Sequence, residues 1–165
     1  MPNMSKPASD ASRRRFVEDV AARLTPWGMQ PTLARLYGYL LLSAEPVDLD
    51  AIAADLDMAK SSASVAAREL VKYGLASLHK ERGSKRVRYG ASERYSGFLV
   101  AQATLLGDLG HLVQDQADAV AEGRVLRRLE HLSSFFLKME ATIRHRIDEL
   151  TEEAIREGLV EEPSP

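Results

Sequence analysis

The chain is predicted to be mainly α-helical with one small β-hairpin. Three observations predict it. Apolar residues recur at helical spacing over most of the length. Between Val47 and Gly90 the order is a short helix, a tight turn, a serine-studded helix and two alternating segments around Gly83-Ser84. A continuous apolar seam then runs through roughly the last forty residues.

Composition bounds the possibilities. The 165 residues suffice for one domain with an appended helical element, and such a chain needs no covalent staple. There is no cysteine, which excludes disulfides and thiolate metal sites and fits a cytoplasmic protein. No apolar run approaches the roughly 18 to 20 residues of a membrane span. The first fifteen residues carry arginines but no apolar stretch, so they do not read as a secretory signal. The net charge is −2, yet it is unevenly spread. From Met58 to Arg94 nine basic residues face three acids, an excess of +6. From Ala119 to Glu162 the balance is −3. A basic patch on a mildly acidic chain is the footprint of a local nucleic-acid surface, although a solvated face carries charge too.

Residues 1–9 are small and polar and read as a disordered tail. Asp10 or Ser12 suits the cap of a first helix through Thr25, with Phe16, Val20 and Leu24 on one face. Pro26-Trp27-Gly28 ends it, and Pro31 opens a second helix to about Ser43. Asp48 suits the cap of a short helix holding Leu49, Ile52, Ala53 and Leu56. Asp57-Met58-Ala59 is a turn, and a helix from about Ser61 to Lys72 ends before Gly74, a left-handed position. Leu75–Lys80 and Val87–Tyr89 alternate as two strands about a Gly83-Ser84 tip. Ser92 is placed to cap a long helix containing Gly107 and Gly110, which mark a kink or a close helix crossing. After a break near Gly123, the last helix spans about Arg124 to Glu157, and the tail EEPSP reads as frayed.

Helix, turn, helix and hairpin in this order form a winged helix-turn-helix, which lays one helix in a DNA major groove with a hairpin beside it. Ala63, Ala66, Ala67, Leu70 and Val71 make the inward face of that helix, leaving Lys60, Ser61, Ser62, Ser64, Val65, Arg68 and Lys72 to point mostly away from the core. Small hydroxyl residues permit close approach to base edges or phosphates, Val65 suits a thymine methyl, and Arg68 can reach a guanine. Ser61 serves equally as a helix cap, and Arg68 as half of an intrahelical ion pair. Lys80, Arg82, Lys85, Arg86 and Arg88 put five cations into nine residues of hairpin, more than edge protection requires. Lys85 and Arg86, nearest the tip, are the candidates for groove contact.

The last helix carries Val125, Leu129, Leu132, Phe136, Met139, Ile143, Ile147 and Leu150 in alternating steps of three and four. At about 34 residues it would be roughly 50 Å long, more than a small domain needs. The seam therefore packs on a second chain, or on the preceding helix of the same chain. Catalysis finds little support. The histidines at 79, 111, 131 and 145 are scattered, no serine sits in a nucleophile elbow, and no phosphate-binding glycine loop is present. No cofactor or metal is expected.

From Gly28 to Tyr95 the chain resembles the MarR family of winged-helix regulators, in particular its GbsR-type branch. The resemblance rests on Gly28-x-x-Pro31 before the second helix, Asp50–Leu56 (DAIAADL) as the short helix and Ala59–Ser64 (AKSSAS) opening the next. It continues through Leu70-x-x-x-Gly74-Leu75 and the wing residues Gly83, Arg86 and Tyr89. Ser84 stands where the broader family has a wing aspartate. The resemblance implies a dimeric transcription regulator, usually a repressor, on a pseudo-palindromic operator of double-stranded DNA. It also implies sensitivity to a small-molecule effector, in some relatives a quaternary ammonium compound, for which Trp27, Tyr37 and Tyr39 are candidate cage walls. The expected organisation is a tail (1–9), a winged helix-turn-helix domain (10–95) whose first helix also reaches the dimer interface, and a helical dimerisation region (96–160). The alternative is a winged helix that binds an acidic protein partner through the same basic face.

Overall fold

The computed structural model describes residues 9–80 and 83–160. The expected tail, the frayed end and Arg82 thus lie outside the described residues, apart from Ser9. Contacts divide the chain into two units, one ending at Ser92 and one beginning at Glu93. The fold is mainly helical with a three-stranded antiparallel sheet, as a winged-helix protein requires.

In the first unit, α1 spans Asp10–Leu24. Its cap is Ser9, rather than the expected Asp10 or Ser12, and its hydroxyl accepts the Ser12 amide at 3.2 Å. A 3-10 turn, Thr25–Trp27, ends at Gly28 with φ 90°, and α2 spans Pro31–Leu41 with the proline in its first turn. β1, Val47–Asp48, leads directly into α3, Leu49–Asp55. The turn beyond α3 puts Asp57 at φ 50°, a conformation that aspartate tolerates better than most residues. α4 spans Lys60–Lys72 and closes at Gly74, φ 70°. β2, Ala76–Lys80, and β3, Val87–Ala91, form the hairpin.

The sheet order is β1-β3-β2, with Asp48 opposite Arg88 and both Val47 and Leu78 opposite Tyr89. Two residues are too few to show alternation, so β1 left no signal in the sequence. Ser92 also departs from expectation. Its amide donates to the Leu75 carbonyl at 3.0 Å, extending the ladder, while the next helix starts four residues later at Ser96.

The core of this unit is built on α2 and α4. Leu36 and Leu40 from α2, Ile52 from α3 and Leu70 from α4 are its largest fully buried side chains. Each contributes about 1.5–3 kcal/mol by leaving water. α1 lies on α2 through Val17 and Ala21. A Cβ on Gly38 would stand 3.2 Å from the Val17 Cα, so glycine permits that approach. Arg35 fastens the arrangement: it pairs with Glu18 of α1 at 2.8 Å and donates to the Leu56 carbonyl at 3.1 Å.

Asp48 joins sheet to helix. Its carboxylate accepts the Ala51 amide at 2.9 Å, the expected N-cap of α3. That bond, with smaller pulls from the Asp50 amide and from Arg86 and Arg88, holds its carboxyl below the usual range against an opposing effect of burial.

The second unit is a helical hairpin of α5, Ser96–Val120, and α6, Gly123–Arg156. The helices meet antiparallel over a stripe of small residues, Ala103, Gly107, Gly110 and Ala117, all buried. Ser133 donates its hydroxyl to the Gly110 carbonyl at 2.9 Å, and Arg144 reaches Thr104 at 2.7 Å while pairing with Glu140 at 2.9 Å. The expected close crossing at the two glycines is therefore what forms. A Cβ on Gly107 would fall on the Glu140 carboxylate, and one on Gly110 would stand 2.8 Å from Leu137 Cγ.

The line of α6 that faces α5 is thus Ser133, Leu137, Glu140 and Arg144. The predicted seam residues Leu132, Phe136, Met139 and Ile143 each precede one of these by a single position, about 100° around the helix. On α5, Leu106 and Leu109 likewise precede Gly107 and Gly110. In an antiparallel pair both such flanks emerge on the same side, giving the hairpin one apolar face drawn from two helices. The opposite side is a polar groove of about 400 Å³ lined by Gln114, Asp118, Glu130, Ser134 and Lys138 among others.

Two outcomes follow. Gly110→Ala should destabilise the α5–α6 hairpin by about 1–3 kcal/mol, because Leu137 must leave its rotamer or the helices must separate; urea unfolding measures it, and an unchanged midpoint contradicts the close crossing. Asp48→Asn keeps an acceptor for Ala51 but removes the charge. Since the folded carboxyl titrates below its unfolded value, its extra stabilisation is complete above about pH 4 and is lost as pH falls through the depressed value. The melting-temperature gap between wild type and Asp48→Asn should therefore be widest near neutrality and narrow in acid, and a gap independent of pH contradicts the assignment.

Candidate nucleic-acid interface

α4 presents two unlike faces. Ala63, Ala66, Ala67 and Leu70 are buried. Lys60, Ser61, Ser62, Val65, Arg68, Glu69 and Lys72 are exposed, and Ser64 is half-buried at the border between the faces. Val65 is 52% exposed. The predicted reading residues other than Ser64 therefore share one outward strip about four turns long.

Two cations on this strip already have partners. The Lys60 ammonium lies 2.6 Å from the Asp50 carboxylate, tying the start of α4 to α3. The Arg68 Nε donates to the Ser64 carbonyl at 3.3 Å, so its guanidinium is folded along its own helix. Both groups are at the surface, where such contacts are worth little and exchange readily for a polyanion. Lys72 closes the strip in the last helical turn.

The hairpin supplies a second basic element. Lys80, Lys85 and Arg86 are exposed, whereas Arg88 is half-buried opposite Asp48. The Ser84 hydroxyl accepts the Arg86 amide at 3.0 Å. It shapes the tip with Gly83, φ 81°, and adds no charge there. His79 is engaged with the Ser77 hydroxyl at 2.9 Å.

Sequence reasoning missed three neighbours of the strip. Gln30 and Thr32, at the start of α2, line a shallow groove of about 350 Å³ together with Ser61, Ser62, Val65 and Glu69. Only the packing of α2 on α4 brings the first two there. Glu69 was legible, lying four residues after Val65 and hence on the same side of the helix.

The remaining candidates are dispersed. Tyr37 and Tyr39 are two positions apart on α2, so their side chains leave it about 200° apart. Tyr39 donates its hydroxyl to Asp55 at 2.6 Å. Burial first, and that carboxylate second, raise the phenol well above its ordinary range. Trp27 is 58% exposed in the turn before α2. A polar cleft of about 620 Å³ beside Tyr39 is lined by α1, α2 and the end of α3, with Arg13, Arg35 and Asp55 among its walls. Of the seam on α6, Val125, Met139 and Leu150 are exposed, and Leu129, Leu132, Phe136, Ile143 and Ile147 are half-buried. The one buried residue of α6 is Ser133. Among the described residues no helix is long and apolar enough to cross a membrane, and no group of three His, Asp or Glu side chains could hold a metal ion.

No protein-family model and no curated protein sequence matches the chain. A crystal structure of a protein described as a transcriptional regulator is similar in fold, with a TM-score of 0.71. The match covers 85% of this chain and 98% of the other at 19% sequence identity, and so shows a shared fold.

Proposed function

We propose that the protein is a sequence-specific, double-stranded DNA-binding transcription regulator of the MarR type, close to the GbsR branch, acting as a homodimer and as a repressor. The observation that carries this reading is the outward strip of α4. Small hydroxyls, an exposed valine, an arginine and a lysine stand on a helix whose other face is buried, in the same unit as a hairpin exposing Lys80, Lys85 and Arg86. Such a strip fits a major groove, and the hairpin cations suit the neighbouring phosphates. The regulator of like fold supports the same assignment.

The apolar side of the α5–α6 hairpin supports the dimer. In α5, Leu105 and Leu112 are exposed at 61% and 52%, and no apolar residue of α6 is buried. Burying that face against its copy would remove both apolar flanks from water at about 25 cal/mol per Å². Two copies carry two reading helices, which suits half-sites about one DNA turn apart and repression by occupancy.

Binding to duplex fragments selected from genomic DNA, at two salt concentrations, tests the proposal. Affinity should fall steeply with salt, at a stoichiometry of two chains per site. Arg68→Ala should alter sequence preference, while Lys85→Ala should weaken all duplexes alike and flatten the salt dependence. Binding that is absent or insensitive to salt overturns the DNA reading, and capture of an acidic protein by the same face would replace it.

A further inference from the structure

Resting on the DNA reading above, we infer that Glu69 is a specificity residue that selects a cytosine in each half-site. The observation is an acid in the wrong place. Glu69 lies on the exposed strip of α4, one turn beyond Val65, and lines the same groove as Ser61, Ser62 and Val65. Among the described residues no ion pair includes Glu69, and the neighbouring Arg68 is turned back onto the Ser64 carbonyl. Its position, one turn beyond Val65, puts a carboxylate on the surface that would enter the groove.

A carboxylate there is repelled by every phosphate and gains only from a hydrogen-bond donor on a base edge. The major groove offers two, the amino groups of cytosine and adenine. Adenine sets its N7 acceptor beside the amino group, facing the second carboxylate oxygen with a lone pair. Cytosine sets a C–H there instead. The side chain therefore favours cytosine and penalises thymine and guanine, which present acceptors. Ser61, Ser62 and Val65 have no such polarity and tolerate more than one base. On this account Glu69 sacrifices general affinity for DNA to gain discrimination at one base pair.

Selection of bound sites from random duplexes by the wild type, Glu69→Ala and Glu69→Gln tests it. The surface position leaves folding intact in both variants. The wild type should select a C·G pair that the alanine variant leaves degenerate, and replacing that pair should weaken wild-type binding at least about fivefold but the alanine variant less than about twofold. Glutamine, an adenine reader, should shift the preference towards A·T at the same place. If both variants bind every duplex more tightly by one common factor with unchanged preference, Glu69 is a repulsive bystander and the inference fails while the DNA reading stands. If the wild type selects no sequence and binds without salt dependence, the DNA reading fails, and the role of Glu69 fails with it.

Discussion

The packing of α4 on α2 is the constraint from which the rest of the first unit follows. Three alanines and one leucine on α4 meet the leucines of α2. Alanine brings the two helices close, leaving no room for the remaining residues of α4 except outward. Ser61, Ser62, Val65, Arg68, Glu69 and Lys72 are therefore exposed because of what lies behind them. The same packing sets Gln30 and Thr32 beside the strip. Asp48 secures the geometry from the other side, since one carboxylate caps α3 and lies opposite Arg88 of the hairpin.

The second unit applies the same device to a different end. Ala103, Gly107, Gly110 and Ala117 let α5 and α6 approach closely, and no large apolar side chain of α6 is fully buried. Those side chains are left on one flank of the hairpin, opposite a polar groove. A pair of helices that spent its leucines internally would offer nothing to a second copy. Under the proposed function, reading and self-association draw on separate residues in separate units.

Most of the fold was legible because its signals are local. Asp48 as a cap, Gly74 as a helix stop, Gly83-Ser84 as a tip and the phase of α4 each follow from a few neighbouring residues. The misses share a cause. β1 is two residues long and exists only because β3 lies beside it. Ser92 has the chemistry of a cap, yet its amide is claimed by Leu75, seventeen positions earlier. Gln30 and Thr32 join the candidate interface through tertiary packing, which no spacing rule reveals. The seam of α6 was visible, but which face of that helix α5 would take was decided by Gly110 meeting Leu137 and Ser133.

The central claim is that the outward strip of α4 and the hairpin tip form the surface that meets DNA. Hydroxyl-radical footprinting of the protein's side chains, with and without duplex DNA at low salt, tests it most directly. Protection of Val65, Lys72, Lys85 and Arg86 is predicted, with the polar groove of the second unit unchanged. Protection confined to the α5–α6 hairpin, with Val65 as reactive in the complex as in the free protein, would contradict it.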